Sequence, residues 1–104
     1  MSFDSDRRSS PRISKRIPVV IEGKDSSGQG IREETYTLLV NHSGALLALS
    51  ARFEWHDPCT VTNQSSGVKA PCRVVWRSTV PIAGRWSYGI AFVDPLDDFW
   101  GPQQ

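Results

Sequence analysis

Three arginines stand close together near the start of the chain: Arg7, Arg8 and Arg12, in the segment Arg7-Arg8-Ser9-Ser10-Pro11-Arg12. Arg8 and Arg12 have the spacing RxxxR, and an apolar stretch, Ile17 to Ile21, follows them. Residues 1–16 hold five cationic side chains against Asp4 and Asp6, a local balance of +3. The whole chain is only +1, so the remainder is −2. A basic arm on a slightly acidic body suits an anionic partner for the arm. The same spacing also fits a solvated basic tail. A second group of polar residues with chemical potential is the tight turn Asn41-His42-Ser43-Gly44.

The other reactive residue types are arranged without catalytic spacing. His42 and His56 fall in no HExxH or paired-ligand pattern, and Ser43-Gly44 is not part of a GxSxG elbow. The glycines match neither a P-loop nor a dinucleotide fingerprint. Glu33 and Glu34 are adjacent, and adjacent strand residues face opposite sides, so they do not form a matched acid and base. Asp97-Asp98 is the other carboxylate pair. Cys59 and Cys72 are too few for a disulfide scaffold and have no CxxC or histidine partners for zinc. They read as free, small core residues on either side of a hairpin, close enough in the chain to meet. A binding module, not an enzyme, is expected, with no metal and no cofactor.

Short strands must position these groups. Ile17–Gly23 is β-branched, with Pro18 tolerable only near a strand start or an edge. Lys24–Gly30 is turn chemistry with two glycines. Glu33–Val40 begins with alternation, and Ala45–Leu49 is a short apolar strand after the Asn41–Gly44 turn. Cys59–Asn63 and Lys69–Arg77 flank the loop Gln64–Gly67. Trp86–Val93 alternates large and small residues, ending at Asp94-Pro95. Leu96–Trp100 reads as a single helical turn at most, with Phe99 and Trp100 folded back. Six strands at roughly 8–12-residue spacing indicate a sandwich or small barrel. Trp55, Trp76, Trp86 and Trp100 read as core and rim packing, with Trp76 a possible exposed docking contact and Trp100 a cover for one barrel end.

With 104 residues, 38% hydrophobic and 22% charged, the chain has the composition of one globular domain. No stretch approaches the roughly 20 apolar residues of a membrane helix, and Met1–Arg8 has no apolar run behind its charges. A cytoplasmic location without membrane insertion is the expectation.

An RxxxR arm leading into a strand, a small polar motif between two strands, and a barrel whose end carries Arg73-Val74-Val75-Trp76 and Tyr88-Gly89-Ile90-Ala91-Phe92-Val93 together resemble the PilZ domain family. The resemblance spans about residues 7 to 94. It implies an all-β, six-stranded antiparallel barrel over residues 17–104, preceded by a flexible basic arm over residues 1–16. It also implies cyclic di-GMP as ligand, through the family's motifs RxxxR and [DN]xSxxG. Arg8 and Arg12 are then the motif arginines and Arg7 an auxiliary. Their guanidinium groups would pair with phosphate and with the guanine O6/N7 edge and stack on purine rings.

The second motif is incomplete. One registration matches Asn41 and Ser43 but places Leu46 at the glycine. The other, preferred here, places Gly44 at the glycine, Leu39 at the Asp/Asn position and Asn41 at the serine. Asn41, Ser43 and Gly44 join the arginines as candidate ligand contacts. Binding would order the arm and signal to an unidentified protein partner. The alternative is a degenerate PilZ domain that binds no nucleotide and acts as a protein-interaction module. A nucleic-acid-binding barrel is disfavoured by the net negative body, since such domains are usually basic overall.

Overall fold

The computed structural model describes residues 12–101 except Ser26, Trp55, Pro95 and Asp97. It contains seven strands: β1 (Ile13–Ser14), β2 (Pro18–Lys24), β3 (Gly30–Asn41), β4 (Gly44–Leu49), β5 (Pro58–Asn63), β6 (Lys69–Arg77) and β7 (Trp86–Phe92). All pairings are antiparallel. Going round the sheet, β3, β2, β5, β6, β7 and β4 follow one another, and β4 pairs back to β3. The six strands therefore close into a barrel, and closure removes the exposed edges that an open sheet would present. No helix occurs among the described residues, so none is present to cross a membrane.

The six expected strands are all present, with ends that coincide or are displaced by at most three residues. Alternation explains why. In β6, Ala70, Cys72 and Val74 are buried while Lys69, Pro71, Arg73 and Val75 are exposed. β7 repeats this with Tyr88, Ile90 and Phe92 inward. These side chains meet Val19 and Ile21 of β2, Val40 of β3, Leu47 and Leu49 of β4 and Val61 of β5 in one core. Pro18 is the first residue of β2, where its missing N–H costs least.

The seventh strand, β1, lies within the stretch read as the arm. Ile13 pairs with Val40 and Ser14 with Leu39, on the edge of β3 opposite to β4. β1 and β2 thus run along the same edge of β3, separated by a kink at Lys15–Ile17. The buried side chain of Thr37 holds that kink. Its hydroxyl accepts from Ile17 N–H at 2.9 Å and donates to Lys15 C=O at 2.6 Å. Two backbone groups that the interrupted ladder leaves over are satisfied by one hydroxyl.

The chain after β7 folds back, as expected for Phe99 and Trp100. Asp98–Trp100 form a turn, not a helix: Asp98 has φ of 63° and Gly101 N–H donates to Asp98 C=O at 3.1 Å. Phe99 and Trp100 stack edge-on at 4.7 Å and both lie against Phe92. Two polar contacts fix the cap: Asn63 Nδ2 donates to Phe99 C=O at 2.7 Å, and Trp100 Nε1 donates to Asn41 C=O at 2.9 Å. Lys15 Nζ donates to Trp100 C=O at 3.3 Å, so the root of the arm and the C-terminal cap touch.

Cys59 and Cys72 face each other across β5 and β6 as buried free thiols, Sγ to Sγ 2.9 Å. Their hydrogen bond and their burial push the Cys72 thiol well above the usual range. Among the described residues no cluster of three or more His, Cys, Asp or Glu could hold a metal ion.

Candidate functional site

The barrel wall opposite the core side of Val40, Ile90 and Val74 carries the site. These three residues, with Ala45, form one transverse register row across β3, β4, β7 and β6, and the three are buried in the core. The period of two along a strand sends the flanking rows outward. One flanking row reads Leu39, Leu46, Gly89, Trp76; the other reads Asn41, Gly44, Ala91, Arg73. Two glycines and an alanine on the central strands make a low floor. Leu39 and Leu46 stand at one side, and Trp76 stands at the other.

Local geometry makes this floor. A Cβ at Gly44 would lie 1.9 Å from the Ile90 carbonyl oxygen, so β4 can approach β7 there only with glycine. A Cβ at Gly89 would press on Trp76 Cβ at 3.3 Å, so its absence leaves the indole room. In β6 the register shifts between Val74 and Trp76, a bulge that turns two consecutive apolar residues outward. Val75 and Trp76 are accordingly 44% and 45% exposed.

A concavity of about 560 Å³ results, within the usual range of small-molecule sites. Arg12 reaches it from the arm, one residue ahead of the Ile13–Val40 pair. The turn contributes Asn41, Ser43 and Gly44. Among the described residues around the cavity Arg12 is the one charged group, and none is a carboxylate. The chemistry is therefore a cation over an apolar floor with an aromatic wall. That combination can hold an anion that also carries a flat ring.

The turn's own polar atoms are partly committed. Asn41 Oδ1 accepts from Ser43 N–H and from Gly44 N–H, both at 2.9 Å. The Ser43 carbonyl accepts from Phe92 N–H at 2.8 Å, and the Asn41 carbonyl takes the Trp100 indole. Asn41 thus shapes the turn from within.

Of the residues singled out by the sequence, Arg12, Asn41, Ser43 and Gly44 come together round this cavity, and Arg7 and Arg8 lie outside the described residues. Both registrations of the second motif place their residues here, since Leu39 and Leu46 line the cavity as well. Sequence reasoning passed over Gly89 and Ala91 as floor residues. Their small size at alternate positions between Tyr88, Ile90 and Phe92 was the available signal. The Glu33–Glu34 pair lies elsewhere, and its members separate as expected. Glu33 accepts from Ser50 N–H and Ala51 N–H at the exit of β4, while Glu34 lies beside Arg32 in the solvent.

No curated protein matches the chain in comparison. The family model for the PilZ domain matches residues 6–98, nearly the whole chain and all seven strands. The closed six-stranded antiparallel ring is consistent with that match, and the chain belongs to the PilZ domain family.

Proposed function

We propose that this PilZ domain binds cyclic di-GMP on its outer wall and passes the signal to a protein partner. The observation that carries this reading is the approach of Arg12 to an apolar, carboxylate-free concavity floored by Gly44, Gly89 and Ala91. Arg12, with Arg7 and Arg8 from the arm, would neutralise the two phosphates. Charge-assisted contacts of this kind contribute about 1.5–3 kcal/mol each. Trp76 offers a face for a purine, worth about 1–3 kcal/mol per stacked base. Asn41 would keep the turn open and place the Ser43 hydroxyl at the rim. The reading is of a regulatory binding module and assigns no catalytic group.

Calorimetry with cyclic di-GMP on the unmodified chain and on Arg8→Ala and Arg12→Ala tests it. Binding that weakens about tenfold or more in each variant supports the proposal. No heat at tens of micromolar protein overturns it.

A second reading has its own observation. Leu39 and Leu46 are apolar, Asn41 Oδ1 is occupied within the turn, and Val75 and Trp76 are exposed. A domain that docks on a protein through this wall without nucleotide would show the same features. Arm substitutions would then leave its function intact, whereas Trp76→Ala would abolish it.

A further inference from the structure

One cation on the outer wall belongs to the barrel and not to the arm. Arg73 lies in the middle of β6, exposed between the buried Cys72 and Val74, so the alternation of the strand turns its side chain outward. It ends the row Asn41, Gly44, Ala91, Arg73. Ile13 pairs with Val40, and continuing that antiparallel register by one residue sets Arg12 beside Asn41. The row therefore has an arginine at each end. Asn41, Gly44 and Ala91 stand between them, and all three line the cavity.

The spacing lets both arginines serve one ligand. Neighbouring strands are about 4.8 Å apart, so the Cα of Arg73 stands one strand from Ala91 and about 10 Å from Gly44. An extended arginine side chain spans most of that length, and alanine and glycine are too small to block it. Laid over Ala91, Arg73 brings its guanidinium to the cavity rim on the side away from Arg12. Other arginines are engaged locally. Arg32, Arg52, Arg77 and Arg85 each lie 3.6–3.9 Å from a glutamate, and the Arg16 guanidinium sits 4.5 Å from the Tyr36 ring centroid. The register partners of Arg73 are Ala91 on one side and Pro58 on the other, neither of which carries a charge.

From this we infer that Arg73 is a further ligand-binding residue, which holds a phosphate of the ligand from the side of the barrel opposite the arm. The inference rests on the cyclic di-GMP reading above and deepens it. A ligand with two phosphates is then gripped across the Gly44–Ala91 floor by one fixed arginine and by the arm. The arm arginines keep the other phosphate and the guanine O6/N7 edge, which a guanidinium pairs bidentately. Arg73 is carried on a paired strand, so its contact needs no ordering of backbone, whereas the arm must be ordered at a cost in entropy.

The test is calorimetry of the full chain with cyclic di-GMP, repeated on Arg73→Ala, Arg73→Lys and Arg85→Ala. Arg73→Ala should weaken binding about tenfold or more, as loss of a charge-assisted contact does. Arg73→Lys keeps the charge without the planar fork and should recover part of that loss. Arg85→Ala removes the same charge beside Glu33, away from the row, and should stay within about twofold of the unmodified chain. Binding by Arg73→Ala within about twofold of the unmodified chain overturns the inference and leaves the underlying reading intact. So does an equal weakening in Arg85→Ala, which would show a general effect of net charge. A measurement on the unmodified chain is independent of how the variants fold: the Arg73 Nε–H resonance should shift saturably with cyclic di-GMP, and a resonance that stays in place while the ligand binds overturns the inference as well. If the unmodified chain binds no cyclic di-GMP at tens of micromolar protein, the reading itself fails and the inference with it.

Discussion

A methyl group added at position 44 would lie 1.9 Å from the Ile90 carbonyl oxygen, well inside contact distance. Gly44→Ala therefore forces β4 away from β7, and the expected loss is about 3 kcal/mol, at the upper part of the usual overpacking range. Urea unfolding measures it, and a loss below about 0.5 kcal/mol would contradict the close approach. Asp25 is a second residue with a defined local task. Its Oδ1 accepts from Ser27 Oγ at 2.6 Å and from Ser27 and Gln29 N–H at 3.0 Å, across the turn where Gly28 has φ of 86°. The Ser27 hydroxyl, and then the backbone N–H of Gln29, hold the exposed Asp25 carboxyl below its ordinary value. A lowered carboxyl stabilises the fold fully above the unfolded value of about 3.9, and the contribution disappears as pH falls through the lower folded value. Carbon-detected NMR titration should place Asp25 below that reference, and a midpoint at or above it would contradict the turn geometry. Residue types alone made Arg12 and the Asn41–Gly44 turn legible as chemistry. The need for glycine at position 44 was not legible, because Ile90 lies 46 residues further along the sequence.

At the scale of elements, the strands were readable wherever one face is apolar and the other polar. β6 repeats buried and exposed residues from Lys69 to Val75, and its expected and observed ends coincide. β3 starts three residues earlier than its pattern, since Gly30–Arg32 lack apolar alternation and are ordered by pairing with Glu22–Lys24. β1 has only two residues and no pattern of its own. It exists because Val40 and Leu39 offer an edge and because the Thr37 hydroxyl ties Lys15 C=O and Ile17 N–H together. Thr37→Val keeps the shape and removes the hydroxyl. Leaving those two groups unpaired should cost about 1–3 kcal/mol and release β1, which carries Arg12 to the cavity. Amide hydrogen exchange would show the release as faster exchange at Ile17 without change in β6. Equal protection in Thr37→Val would mean that β1 holds itself. The β5–β6 ladder makes a different prediction. Cys59 and Cys72 are buried against each other, and the Cys72 thiol is pushed up by that contact and by burial. Since the thiolate is the nucleophile, alkylation of the native chain should be slow and should accelerate on unfolding. Mass spectrometry after brief iodoacetamide treatment checks it, and full modification of the folded chain would contradict the buried pair.

For the molecule as a whole, closure of the barrel creates the site. Leu39, Leu46, Gly89 and Trp76 come from four strands spread over 51 residues of sequence, and only the register of β3, β4, β7 and β6 sets them in a row. Strand existence could be read locally, but this register is a product of long-range pairing and of the bulge at Val74–Trp76. The C-terminal turn belongs to the same assembly. Trp100 caps the barrel end, donates to the Asn41 carbonyl and accepts from Lys15, so it touches both the turn and the root of the arm. The central claim is that the outer wall beside Arg12 binds cyclic di-GMP. An amide chemical-shift titration of the full chain with cyclic di-GMP tests it most directly. The account predicts saturable shifts concentrated at Arg12–Ser14, Leu39–Leu46, Val75–Trp76 and Gly89–Ala91, lost or weakened about tenfold in Arg12→Ala. The absence of shifts at tens of micromolar protein with excess ligand, or shifts centred instead on the exposed Val80–Ile82 loop, would contradict it.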